Sequence, residues 1–336
     1  MKNSKNNLLI PYFIAVAALL LALLLGILLG GVSLSLSSAL RALFAGDLSH
    51  PDLRILLYVR LPRTLGAALS GGALALAGAV LQGVLANRLA SPSVIGVNAG
   101  AGFAVTVASA LGIFGGWRFA LFAFLGALLS AVLVSLGARK WGATRGTVIL
   151  LGVAVSSLFG ACSDAVVTFF PDALPVRSAF RIGDFSGVSY QKLLPAALVI
   201  LLSLFLLLTL SRTLDVLLLG EETATGLGLR VPVARGALLV LAAALAGASV
   251  SLGGLLSFVG LLVPHAVRRV TGGASGRLLP LSFLFGAAFV SLADTLSRTL
   301  LAPYEIPVGI PIALIGAPFF VFLLLHKKGG DGRAHA

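Results

Sequence analysis

The sequence predicts an all-α polytopic membrane protein, and three observations carry that prediction. Of 336 residues, 59% are hydrophobic and 10% charged, where soluble domains run at about 45–50% and 25%. Mean hydropathy is +1.09. The apolar residues fall in runs of about 20, the helix length that crosses a hydrocarbon core roughly 30 Å thick. A water-soluble core could not hide so many apolar side chains, and disordered chains are polar, so soluble-enzyme and disordered readings are excluded. Lipid offers an open backbone no hydrogen-bond partner, which makes each run a helix.

Ten runs are bounded by charges, Pro or Gly: 8–32, 65–86, 93–113, 117–138, 147–170, 191–210, 236–254, 256–267, 279–297 and 308–325. Lys2 and Lys5 precede the first, whose apolar stretch is about twice an ordinary signal-peptide core and is followed by no small-x-small cleavage site, so it is read as an uncleaved span. The connections at 33–64 and 171–190 carry Asp, Arg, Pro and Gly, which suggests short surface helices and turns. Between Arg235 and Arg268 lie 32 residues, about 48 Å of helix where two crossings need about 60 Å. That segment is one long span, or two with a turn at Gly253-Gly254.

Charge decides between them. With ten spans and both termini cytoplasmic, the inner side holds 15 basic and 4 acidic residues and the outer side 9 and 7, as the positive-inside rule prefers. A single crossing would put Arg268, Arg269, Arg277, Lys327 and Lys328 outside. The whole chain, 1–336, is then one transmembrane domain with its longest cytoplasmic connection at 211–235. There Gly220-Glu221-Glu222-Thr223-Ala224-Thr225-Gly226-Leu227-Gly228 would form one or two short helices punctuated by glycine. A faint internal echo, Leu76-Ala77-Gly78-Ala79 and Leu245-Ala246-Gly247-Ala248, falls in two oppositely directed spans, as an inverted repeat would place it.

The net charge of +13 is spread between apolar runs and not gathered on one face, which argues against nucleic acid. The 40 glycines suit close helix packing. The four histidines form no metal-spaced pair, and no lysine sits in a phosphate-cradling G-x-x-x-x-G-K-[ST] context. No catalytic or metal site is expected, and any ATPase must be a separate chain. Ion-coupled carriers use intramembrane ionisable groups, for which Asp164 and Asp294 are the only candidates in or at the ends of the spans.

Polar islands bound the spans. One is Arg60-Leu61-Pro62-Arg63. A second, at 82–102, contains Gln82, Asn87, Pro92, Gly96 and Gly100. A third, at 255–269, contains Gly260, Pro264, His265, Arg268 and Arg269. The last holds Asp294 and Arg298, followed by Pro307 and Gly309. Together they resemble the FecCD-type permeases, the membrane subunits of ABC importers for iron–siderophore complexes, haem and cobalamin, over roughly residues 55–325.

The resemblance implies a permease of the bacterial cytoplasmic (inner) membrane, paired with a second copy or a homologous permease. It also implies two cytoplasmic ATPase subunits and an extracytoplasmic substrate-binding protein. The chain would bind no cofactor itself, ATP and magnesium belonging to the ATPases. Ferric siderophores are the family's commonest cargo, with haem and cobalamin as alternatives; a secondary transporter acting alone is the reading from another class. Residue by residue, Arg60, Arg63 and Arg298 match the outer-face arginines that meet acidic residues of the binding protein, and an arginine suits that pairing because its fork is permanently charged. Gly220, Glu221, Glu222, Thr223, Ala224, Gly226, Leu227 and Gly228 match the element that docks on the ATPase. Pro62, Gln82, Asn87, Pro92, Gly96, Gly100, Gly260, Pro264, Asp294, Pro307 and Gly309 carry the structural motifs, and His265 is expected at the inner end of a helix in a structural or capping role. The chain departs from the family where Arg88 replaces a proline after Asn87, removing a fixed φ. It departs again in the outer stretch Phe180-Arg181-Ile182-Gly183-Asp184-Phe185.

Overall fold

Every regular element among the described residues is helical, as the lipid argument requires. The computed structural model describes residues 3–140 and 145–328. In chain order the helices are α1 (Asn3–Leu28), α2 (Leu36–Ala45), α3 (Pro51–Ile55), α4 (Leu61–Val84), α5 (Val97–Ala110), α6 (Gly116–Lys140), α7 (Arg145–Phe169), α8 (Ala173–Ile182), α9 (Tyr190–Thr209), α10 (Ser211–Leu218), α11 (Glu221–Gly226), α12 (Val231–Gly253), α13 (Val259–Thr271), α14 (Ser275–Thr299) and α15 (Gly309–Lys328). A π-helical turn, Leu56–Arg60, joins α3 to α4, and a 3-10 turn, Pro92–Ile95, precedes α5.

Each of the ten apolar runs overlaps one helix, namely α1, α4, α5, α6, α7, α9, α12, α13, α14 or α15. Among the described residues, seven helices are long and apolar enough to cross a membrane. α5 and α13, of 14 and 13 residues, are shorter. The expected surface helices of the two outer connections are α2 and α8. Ser35 caps α2 by accepting from the Ser38 amide at 3.4 Å, and Gly46, at φ 73°, ends it in the left-handed conformation that glycine tolerates.

The second span differs from its expected bounds. It begins at Pro51 and runs unbroken to Val84 over 34 residues, where charge had suggested a loop up to residue 64. Arg60 and Arg63 read as loop residues in the sequence, but both are buried and bonded, so nothing stops the helix at them. The π turn just before them inserts the extra backbone of a π-bulge, a feature common at functional sites.

The seventh and eighth runs are two helices, turning at Gly253 and Gly254 as expected. Gly254, at φ 71°, makes that turn. The two Leu-Ala-Gly-Ala segments lie at equal depth: Ala79 is five residues before the end of α4 and Ala248 five before the end of α12. α12 is followed by a non-helical turn and then the short helix α13, and α4 by a turn, the 3-10 turn Pro92–Ile95 and then the short helix α5.

The core is built on α4, which is buried along nearly its whole length between α12 and α14. Small residues permit this approach. Without a solvent-driven force between helices in lipid, close backbone packing supplies much of the attraction. Ser70 and Ser249 donate reciprocally to each other's carbonyls at 3.4 and 3.3 Å across the α4–α12 contact. A Cβ at Gly71 would overlap the Gly286 carbonyl oxygen of α14, and one at Gly78 would overlap that of Gly260, at the start of α13. Gly78→Ala should therefore destabilise the protein by about 1–3 kcal/mol, the usual cost of overpacking against a partner that cannot rotate away. Its thermal unfolding midpoint in detergent should fall, while Gly102→Ala, which meets open space, should leave it in place.

Candidate functional site

Polar chemistry is confined to the two ends of the bundle. At the end expected to face outward, three arginines meet. Arg63 sits on the first turn of α4, and Asp294 and Arg298 share one face of α14 at a four-residue spacing. Arg63 Nε donates to both oxygens of Asp294, at 3.1 and 3.3 Å, and Arg298 Nε lies 3.1 Å from Asp294 Oδ2. Arg63 Nη1 donates to Glu305 Oε2 at 2.6 Å, and its Nη2 lies 3.9 Å from Asp184 Oδ1. Asp294 is fully buried and shared by two guanidiniums, whereas the Glu305 and Asp184 side chains are 38% and 37% exposed.

The other contacts of this cluster hold a helix end. Arg60 Nη1 donates to the carbonyls of Ile27 and Leu28 at 2.9 and 2.6 Å, and its Nη2 to that of Val32 at 2.6 Å. Arg298 Nη2 donates to the Gly26 carbonyl at 3.1 Å. The last carbonyls of a helix lack partners within it and carry its negative dipole end, so two arginines close α1 and tie this largely exposed helix to the bundle.

The structure places Arg60, Arg63 and Arg298 at one end of the bundle, each buried at 3–4% exposure and engaged within the chain. No guanidinium projects from the surface.

The opposite end holds the connecting element. Gly220, at φ 105°, allows the entry to α11, and Glu221 Oε1 pairs with Arg235 Nη2 at 2.5 Å across to the first turns of α12. Arg235 is buried, and its Nε and Nη1 have no hydrogen-bond partner. Ala224 is buried beneath α11, while Glu222, Thr223, Gly226, Leu227 and Gly228 are exposed. Asp215 Oδ1 of α10 accepts from the Ser275 amide at 2.9 Å, supplying the cap that Ala274, with no side-chain acceptor, cannot give α14. The segment 211–226 is thus fastened to α12 and α14, the two helices that flank α4.

The remaining motif residues are structural here. Gln82 Nε2 donates to the Gly260 carbonyl at 3.1 Å, and Asn87 Oδ1 accepts from the Leu89 amide at 2.9 Å. Pro62 and Pro92 lie in the first turns of their helices. Gly96 takes φ 74°. Gly100 meets the Gly126 carbonyl of α6, and Gly309 meets that of Ile182. Pro307 precedes α15, and Pro264 is buried inside α13. His265 is half-buried in mid-helix and not at a helix end, because α13 continues to Thr271. The described residues contain no group of three His, Cys, Asp or Glu placed to hold a metal ion. His326, His335 and the Lys327-Lys328 pair have side chains outside the described residues.

Sequence reasoning missed Glu305, Asp184 and Arg235 as partners. Each was visible as a lone charge beside a motif, two residues before Pro307, inside the divergent outer stretch and at the edge of the seventh run. Their partners lie 242, 121 and 14 residues away, a distance that no local pattern reports. The stretch around Asp184 also locks the outer turn: the Asp184 amide donates to the Gly253 carbonyl at 2.8 Å and the Leu255 amide to that of Phe180 at 2.9 Å. Phe185 is buried against Gly253.

An all-helical bundle of apolar spans with charge confined to its two ends defines a multi-span membrane permease. The FecCD transport family matches residues 18–326, and this chain belongs to it. It is 36% identical over 328 residues to the Fe(3+)-citrate import system permease protein YfmD of Bacillus subtilis, covering 98% of this chain and 97% of that one. It is 36% identical over 303 residues to the hemin transport system permease protein HmuU of Yersinia pestis, covering 88% and 90%. Among solved structures, an inward-facing conformation of a transporter assigned to the metal-chelate ABC type superposes with a TM-score of 0.81 at 32% identity, over 93% of this chain and 99% of that one.

Proposed function

We propose that this chain is the permease subunit of a binding-protein-dependent ABC importer for ferric siderophores in the bacterial inner membrane. It crosses the membrane ten times with both termini in the cytoplasm. Two permeases, a second copy or a homologous chain, enclose the path. Two cytoplasmic ATPases bind and hydrolyse ATP with magnesium, and an extracytoplasmic protein delivers the cargo. This chain performs no bond-breaking chemistry; it is a bistable element whose inward- and outward-open states are biased by what docks at each end.

The observation that carries the reading is family membership across 18–326, including relatives named for ferric citrate and hemin import. The inner element supports it: Leu227 and Glu222 face outward from a segment anchored to α12 and α14, which suits a lever pushed by a partner. A secondary transporter is disfavoured because neither candidate carboxylate is free. Asp164 pairs with Arg177 at 2.7 Å at the surface, and Asp294 is held by two arginines.

Docking at Arg60, Arg63 and Arg298 is retained in a modified form. An incoming carboxylate reaches Arg63 by replacing Glu305, the half-exposed carboxylate already on it. Glu305→Ala should then tighten capture of the binding protein by about fivefold, the order of an exposed ion pair, measured by surface binding to the detergent-purified permease. Unchanged or weaker capture would remove Glu305 from the docking route.

The whole reading is tested by uptake into proteoliposomes with the cognate ATPase and binding protein, using radio-iron siderophore. ATP-dependent uptake requiring both partners is expected. Uptake by this chain alone on an ion gradient would overturn the reading. ATPase stimulation by loaded binding protein without iron uptake would keep the machine and move the cargo to haem or cobalamin.

A further inference from the structure

At the outer end Arg60, Arg63 and Arg298 are held by carboxylates or by the last carbonyls of α1, whereas at the inner end Arg88 and Arg268 face one cavity without a carboxylate. Arg268, half-buried in α13, donates to Gln82 Oε1 and, at 3.5 Å, to the Ala79 carbonyl, both neutral acceptors. Arg88 stands on the turn that follows α4. Among the described residues neither has a carboxylate partner. Both line one cavity of about 220 Å³ enclosed by the end of α4, α10 and the start of α14. Ser275 lines it as well; it is 1% exposed and its hydroxyl has no hydrogen-bond partner.

The turn carrying Arg88 is held in place. Ala86 takes φ 43°, a left-handed conformation costly for any residue with a Cβ, and Asn87 Oδ1 accepts from the Leu89 amide at 2.9 Å, bracing the turn across Arg88. A non-glycine residue in that region persists where its surroundings over-determine it. The acid nearest the cavity is Asp215, whose Oδ1 is committed to the Ser275 amide. Arg269, on the same helix as Arg268, adds to the positive field.

We propose that this cavity binds a phosphate group, gripped by Arg88 and Arg268 with the Ser275 hydroxyl as a third donor. A half-buried guanidinium without a counter-charge is costly to desolvate, and guanidinium–phosphate pairs are strong and directional. Neutral donors and acceptors would leave both charges uncompensated. A volume of about 220 Å³ holds several waters at roughly 30 Å³ each, enough for one phosphate with its first ester oxygens. Basic pockets between helices at the cytoplasmic rim are where anionic headgroups bind, so the group is supplied by a phospholipid of the inner leaflet or by free phosphate. The phosphate chemistry does not depend on the importer reading; only the lipid source rests on this end facing the cytoplasm.

The test uses the full chain and no transport assay. In one arm the protein in neutral detergent is titrated with inorganic phosphate by calorimetry, against chloride at matched ionic strength. In the other it is reconstituted in nanodiscs of phosphatidylglycerol or phosphatidylcholine, and retained lipid is weighed by native mass spectrometry. Arg88→Gln is the main variant, because Arg88 is exposed and holds no side-chain contact on which folding depends; Arg268→Lys and Ser275→Ala accompany it. Saturable phosphate binding weakened about tenfold by Arg88→Gln, as loss of one charge-assisted pair implies, supports free phosphate. Phosphatidylglycerol retained over phosphatidylcholine and lost in Arg88→Gln supports the lipid. Absence of both signals, or their survival in Arg88→Gln and Ser275→Ala, overturns the proposal. Loss of ATPase capture by Arg88→Gln with no phosphate or lipid effect also overturns it, and gives the cations to an acidic partner surface.

Discussion

Replacing Asp294 by leucine is expected to cost about 3–5 kcal/mol, the loss found when one partner of a buried ion pair is removed and the other is left uncompensated. Two guanidiniums depend on this carboxylate, Arg63 at 3.1 Å and Arg298 at 3.1 Å, and all three side chains are buried. Arg63 keeps Glu305 at 2.6 Å, so the larger loss falls on Arg298. The thermal unfolding midpoint in detergent should drop sharply, and α1 should become accessible to protease, since Arg298 also holds the Gly26 carbonyl. The double variant Asp294→Leu/Arg298→Leu should recover part of the loss, because it removes the pair together. A double-mutant cycle measures that coupling. Additive losses would mean that the two residues do not act as a pair.

Glu221→Ala is the second large effect. Among the described residues Glu221 is the one carboxylate paired with Arg235, whose side chain is 3% exposed and whose Nε and Nη1 already lack partners. The carboxylate is 46% exposed, so water softens the loss, and about 2–3 kcal/mol is expected, below the range for fully buried pairs. The damage should be local: α11 has only 6 residues, too few to hold a helix without tertiary contacts. In reconstituted transporter, the binding-protein-stimulated ATPase rate and uptake should both fall while the unfolding midpoint moves little beyond that loss. Glu222→Ala, at an exposed site without a partner of this kind, should leave stability unchanged and affect only the docking of the ATPase. Equal effects of the two substitutions on stability would refute the anchoring role of Glu221.

Much of the fold was legible because its cause is one-dimensional. Apolar runs and their helices coincide, and the turn at Gly253-Gly254 followed from helix length and the balance of charge between the two sides. The misplaced boundary at the second span came from the same logic used once too often. Arg60 and Arg63 were read as the solvent-exposed edge of a span, whereas helix carbonyls and Asp294 satisfy them inside it. The glycines and paired glutamates of 220–228 marked a short helical segment, yet which glutamate pairs inward depends on Arg235, which local pattern could not assign.

The sequence by itself determined the solvent of this protein, the number of its apolar runs and the family to which its motifs belong, because hydropathy and motif spacing are properties of the linear chain. Only the tertiary structure decided what the charges do. Whether an arginine serves a partner, a helix end or a buried carboxylate depends on which distant residue lies within about 3 Å of it, the reach of a hydrogen bond. For Arg63 and Glu305, 242 residues apart, only the packing of α14 against α4 and the path of the loop that follows α14 set that distance.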